Sequence, residues 1–281
     1  MANTRDIKRR LGSIDNIRQI TRAMEMVAAT KMRRAQEGVL AARAYGEKAR
    51  EVLKAVAAED VDHDQPLLAR RDIKRRAVVL ISTDRGLCGA LNTNVLKAGL
   101  TAADGPGQAS FIPVGRKAEQ ALAARKLPLT ANFTGLIDTP RYEDILPIAE
   151  LLVSEFTEGR LDAIDLVYPR FVSTLRSEPV TERLLPAVLP EQEAGPKAVL
   201  GFEPSPEEVL TALLPRLIEI TLFTALLETK ASEHSARMLA MRNATDNADE
   251  LLDALQLSYN RARQQAITTE IAEIAAASAA A

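Results

Sequence analysis

The residues able to do chemistry in this 281-residue chain are few and scattered. The stretch DRGLCGALN, 84–92, lies between an apolar run and a helical pattern, where a nucleotide-binding protein carries its phosphate loop. Gly86 and Gly89 give only G-x-x-G. No Lys-Ser/Thr follows and no G-x-G-x-x-G is present, so the stretch reads as a tight strand-to-helix turn. Cys88 sits in that turn, and a thiolate nucleophile needs a neighbouring base. The only histidines are His63, in a linker-like region, and His234, in a heptad seam. A Cys–His pair is therefore not supported, and one cysteine with two histidines does not make a zinc site. Asp249 with Glu250, and Glu207 with Glu208, are adjacent in sequence and point apart on a helix, so they read as solvated charges. No catalytic set, cofactor or metal is expected.

Charge is the stronger signal. The chain carries a net −2, too little for a global pull on nucleic acid. Residues 1–54 nevertheless hold thirteen Lys/Arg and six acids, a local +7, whereas residues 216–281 hold six basic and nine acidic side chains, −3. Such asymmetry marks a partner of opposite sign. Nucleic-acid binding by the basic end lacks aromatic interleaving, with Tyr45 alone. Membrane-surface binding needs a wider apolar face than this end offers. The single cysteine excludes an intramolecular disulfide and fits a reducing compartment. No uninterrupted apolar run of about 18 residues occurs, so no membrane span is expected. Asp6 and Asp15 in the Arg-rich start, with no small-residue cleavage pattern, argue against a transit peptide.

Glycine and proline divide the chain into three parts: an N-terminal helix over 1–59, an α/β domain over 60–206, and a C-terminal helix over 207–281. After Pro215 neither residue recurs, and sixty-six residues of helix would span roughly 100 Å. The C-terminal part has a seam at alternating steps of four and three: Ile220, Thr224, Leu227, Ala231, His234, Met238, Met241, Thr245, Ala248, Leu252, Leu255, Tyr259, Ala262, Ala266. The N-terminal part matches it with Ile7, Leu11, Ile14, Ile17, Thr21, Met24, Ala28, then Ala35, Val39, Ala42, Ala49, Leu53, Val56. Two apolar stripes of opposite net charge predict an antiparallel coiled coil. The middle alternates strand-like runs (75–83, 110–115, 162–174, 179–186) with helical ones (89–103, 116–126, 141–159), which predicts an open, largely parallel, Rossmann-like sheet.

Three stretches carry a family resemblance. IKRRLGSIDNIRQITRAMEMVAATKMRRAQ (7–36), STDRGLCGALN (82–92) and SEHSARMLAMRNATDNADELLDALQLSYNRARQQAITTEIAEI (232–274) closely resemble the γ subunits of F-type ATP synthases, in the same order. The resemblance implies a central rotor shaft. Its C-terminal helix enters a ring of three α and three β subunits, and its base rests on the membrane c-subunit ring beside ε. Its angle biases the affinities of the β sites, so ion-driven rotation is coupled to ATP synthesis or hydrolysis there. The chain would have no catalytic site of its own.

The resemblance also assigns residues. Arg263, Gln264 and Thr268, in NRARQQAIT, match the segment held by the β catch loop. Lys31, Arg33 and Arg34 match the segment facing moving acidic loops of β, and Phe202 and Glu203 the region at the c ring. The tail AAASAAA, 275–281, departs from the family's Gly-containing run, and the two-cysteine insertion of chloroplast relatives is absent. Matching from the first residues implies a bacterial subunit at the cytoplasmic side of the membrane. Residue patterns alone leave two other classes open: an α/β enzyme with a coiled-coil oligomerisation arm, and an adaptor that uses the basic helix.

Overall fold

The computed structural model describes residues 4–57, 65–188 and 201–279; His63 and the expected boundary near residue 60 lie outside them. In chain order the elements are α1 (Thr4–Ala57), a single 3-10 turn (Pro66–Leu68), β1 (Arg75–Ile81), α2 (Leu91–Ala103), β2 (Gln108–Val114), α3 (Arg116–Ala124), α4 (Tyr142–Thr157), β3 (Ala163–Ser173), β4 (Arg176–Leu185) and α5 (Pro206–Ala279). The chain divides into two compact units that cut both long helices. One comprises residues 29–236; the other comprises 1–28 with 237–281.

The larger unit holds a four-stranded sheet of order β2-β1-β3-β4. β1 pairs in parallel with β2 and β3, while β4 is antiparallel to β3, so two of the three pairings are parallel as the alternation predicts. The run AVVLI in β1 is apolar throughout because both sheet faces are covered. Ala77, Val79 and Ile81 point into one core, with Ile145, Ile148, Leu152 and Phe156 of α4. Leu53 and Val56 of α1 and Leu210, Leu214, Ile218 and Leu222 of α5 complete it. Val78 and Leu80 face the other core, with Val95 of α2 and Ala118 and Leu122 of α3. Period-two alternation of β1 thus sorts its side chains between two layers.

α5 begins at Pro206, about ten residues before the breaker-free run. Proline suits the first helical position because the amide it lacks would have no partner there. Pro215 lies inside the helix and forfeits one backbone bond. Burial of Leu210, Leu214, Ile218 and Leu222 on one face carries the helix through it. By length and composition alone α5 is apolar enough to cross a membrane, although Arg216 and Glu219 interrupt its apolar run. Those same four leucines and isoleucines lie in the core of this unit.

In the smaller unit the ends of α1 and α5 pair antiparallel. The hydroxyls of Thr21 and Thr245 meet at 2.7 Å, and Arg18 donates to Asp249 at 3.1 Å and to Asp15 at 2.5 Å. Ile7, Thr21, Ala28, Met241, Thr245 and Ala248 are buried along this seam. Two positions on α1 differ from the predicted stripe. Ile17 is 48% exposed, because the contact at that turn falls on Arg18. Met32, four residues past Ala28 and already in the larger unit, is buried, where the predicted stripe had a gap. His234, already in the larger unit, is buried together with Ser232, Glu233 and Ser235, so α5 is covered there on more than one side.

Candidate functional site

Residues 82–84, where the chain enters the DRGLCGALN turn before α2, spend their polar groups on the start of another helix, α3, which follows β2. The first amides of α3 all find partners inside the chain. Arg116 N donates to Asp84 Oδ1 at 3.0 Å, Lys117 N to Thr83 O at 3.0 Å, Ala118 N to Ser82 Oγ at 2.7 Å and Glu119 N to Gly115 O at 3.3 Å. An anion would have to displace these bonds, so the start of α3 does not act as a phosphate cradle. Gly115, at φ +104°, is required here: a Cβ would stand 2.2 Å from Ser82 O. Asp84 also accepts from Gly135 N at 3.2 Å, and its other oxygen is buried without a protein partner. Asn92 donates to Thr83 Oγ1 at 2.8 Å and to the buried Cys88 Sγ at 3.3 Å. The thiol therefore packs as a core group. Sequence reasoning missed the neighbour that protrudes: Leu87, in left-handed backbone at φ 61°, is 64% exposed.

The remaining chemistry lies on the long helices. Every residue from Arg263 to Ser278 is exposed. On the observed antiparallel register, the first described residue of α1 stands opposite the turn around Ala262, so Ala266, expected in the seam, is uncovered. Arg263 and Gln264 point to solvent, and the Thr268 hydroxyl donates to the Gln264 carbonyl at 2.9 Å. Ile267, Ile271 and Ile274 form an exposed apolar stripe at steps of four and three on this segment.

In the larger unit Lys31, Arg33 and Arg34 are exposed around buried Met32. Burial first, and then the charge of Lys31, hold the Lys230 ammonium below the usual lysine value, while Asp138 and Glu233 partly offset them. Asp138 itself pairs with Arg85 at 2.7 Å. Excess positive charge thus stands on this surface with only part of it neutralised by the chain. Phe202 is half-buried against the main core, and Glu203 is exposed ahead of Pro204. The Arg263 set belongs to the smaller compact unit and the Lys31 and Phe202 sets to the larger.

These features define a class of protein in which an α/β unit is built around two long antiparallel helices. The exposed reactive groups lie along the helices rather than at the switch point of the sheet. Comparison with known proteins gives the particular family. A family model described as ATP synthase matches residues 3–281. The ATP synthase gamma chain of Moorella thermoacetica is 46% identical over 277 residues, covering 98% of both chains. That of Dehalococcoides mccartyi strain BAV1 is 45% identical over all of this chain and 99% of the relative. The chain belongs to the ATP synthase γ-chain family, and it is a non-catalytic subunit of that enzyme.

Solved structures share the fold. A chain of the Euglena gracilis mitochondrial ATP synthase, OSCP/F1/c-ring, superposes with a TM-score of 0.71 at 21% identity, over 99% of this chain and 94% of that one. A chain of the Tetrahymena thermophila central stalk and c-ring gives 0.58 at 24% identity, over 80% and 99%.

Proposed function

We infer that the chain is the central rotor shaft of an F-type ATP synthase. It couples ion-driven rotation of a membrane c ring to ATP synthesis or hydrolysis at the β subunits. Its partners are three α and three β subunits, ε and the c ring, and it lies peripheral to the cell membrane on the cytoplasmic side. Membership of the γ-chain family supports this reading. The single structural observation that carries it is the uncovered end of α5, exposed from Arg263 to Ser278 yet striped with Ile267, Ile271 and Ile274. Sixteen exposed residues of amphipathic helix that no described residue covers suit a sleeve supplied by other subunits.

Within that sleeve Arg263, Gln264 and Thr268 meet the β catch loop. Arginine presents a rigid fork of donors that fits a carboxylate, and Gln and Thr add neutral hydrogen bonds. Lys31, Arg33 and Arg34 face the acidic β loops as these pass. Phe202 and Glu203 rest at the c ring, with Phe202 anchored by its packed side. Energetically, each angle of the shaft binds the three β conformations with different free energies, and that difference biases their equilibrium. Reconstitution tests the reading. The purified chain should hydrolyse no ATP alone and should restore rotation-coupled hydrolysis to α and β; intrinsic turnover by the chain alone would overturn it.

A further inference from the structure

β3 outruns its neighbour. Its pairing with β1 ends at Leu80 and Val167, but the strand continues to Ser173. An edge left without a partner strand presents backbone amides and carbonyls that must be satisfied. Here side chains from two helices stand in for the missing strand. Glu228, Ser232 and Ser235 of α5 lie at steps of four and three, on one face of the helix, and are 2%, 0% and 4% exposed. Ser232 Oγ donates to Pro169 O at 3.0 Å, and Ser235 Oγ to Thr174 O at 2.6 Å.

Between these, three elements close a ring. Arg43 of α1 donates through Nε to Glu228 Oε1 at 2.9 Å. Glu228 Oε2 accepts Phe171 N at 2.8 Å. Phe171 O accepts Arg43 Nη2 at 2.7 Å. Each of α1, α5 and β3 is thereby bonded directly to the other two. The hydrogen bond to Glu228 comes first among the influences that raise the Arg43 pKa above its ordinary value.

We propose that this ring, with Ser232 and Ser235, is the clamp that makes the sheet of this unit turn with its two helices. The proposal rests on the reading of the chain as a rotor. A helix held to a sheet by apolar side chains alone can slip about its axis as rotamers repack. Charge-assisted hydrogen bonds are short and directional, and they resist that rotation. Removing one partner also leaves a charge buried without its counterpart, so the clamp has no low-energy slipped state. Arg43 and Glu228 are positioning residues: they touch no reacting group and set how stiffly the body follows the shaft.

The experiment uses the complete α, β and γ assembly, fixed through β, with a bead on a cysteine introduced at exposed Arg125. Angular fluctuation is recorded at the pauses between steps. Arg43→Ala is expected to at least double the angular variance while leaving the unloaded hydrolysis rate unchanged. Arg43→Lys, which retains the charge toward Glu228 but not the fork to Phe171 O, should give an intermediate value and decides the matter if the alanine variant fails to assemble. Ile148→Val, a core truncation on α4, is the control for lost stability alone and should leave the variance unchanged. An unchanged variance in the Arg43 variants, or an equal rise in Ile148→Val, overturns the clamp while the rotor reading stands. A wild-type assembly that hydrolyses ATP without turning the bead overturns the rotor reading and the clamp with it.

Discussion

Asp162 accepts hydrogen bonds from the Arg75 amide at 2.8 Å and the Lys74 amide at 2.9 Å where β1 begins. These bonds, Arg75's first, hold its carboxyl below the usual aspartate range. A carboxylate depressed in the folded chain stabilises it fully above the unfolded value, near 4. That contribution is lost as the pH falls through the lower, native value. Asp162→Ala is therefore expected to lower the urea midpoint at pH 7, with the gap from wild type closing as the pH is taken below about 4. A gap that is constant or widens in acid would refute this role. Sequence reading works at this scale only where neighbours are local. That DRGLCGALN is a turn follows from its glycines. That Ser82, Thr83 and Asp84 cap α3, more than thirty residues onward, depends on which strand lies alongside β1. Periodicity along α5, which places His234 in a heptad seam, does not reveal the sheet edge that the flanking Ser232 and Ser235 meet.

At the scale of elements, glycines in superficially similar helical settings have opposite meanings. Gly46 of α1 is buried, but an added Cβ would meet Ile220 at 3.6 Å, an ordinary contact. Gly46→Ala should raise stability by about 0.5–1 kcal/mol through reduced backbone entropy in the unfolded chain. Gly99 of α2 lies over β1, where a Cβ would stand 2.6 Å from Leu80 Cδ1 in a fully buried site. Gly99→Ala should cost about 1–3 kcal/mol from overpacking. Thermal melts of the two variants should move in opposite directions, and equal shifts would contradict the packing described for α2. Composition alone treats both glycines as helix-weakening residues. The strands and helices of the middle were legible within a few residues because period two and period 3.6 differ sharply there. The start of α5 at Pro206 lies one residue from the expected 207, and Pro215, a breaker in isolation, is carried by the core packing of Leu210, Leu214, Ile218 and Leu222 around it.

For the whole molecule, the pairing of the chain's two ends was legible from matched apolar stripes and opposite charge, and the structure forms it through Thr21 with Thr245 and Arg18 with Asp249. What those helices meet was not legible from periodicity, since a partner's surface leaves only exposed residues behind. Arg263→Ala illustrates the division. The side chain is exposed, so the isolated variant should melt within about 0.5 kcal/mol of wild type. In the assembled complex it should reduce coupled turnover several-fold, read as ion pumping per ATP hydrolysed. Unfolding of the isolated variant with normal coupling in the complex would reverse the assignment.

The most direct measurement is a disulfide between a cysteine placed at Gln264 and one placed in the β catch loop of the complete complex. Cys88 is buried and does not compete for the bond. The account predicts that oxidation stops ATP turnover and that reduction restores it, because the segment must pass from one β subunit to the next in every cycle. Full turnover with the cross-link in place would contradict it.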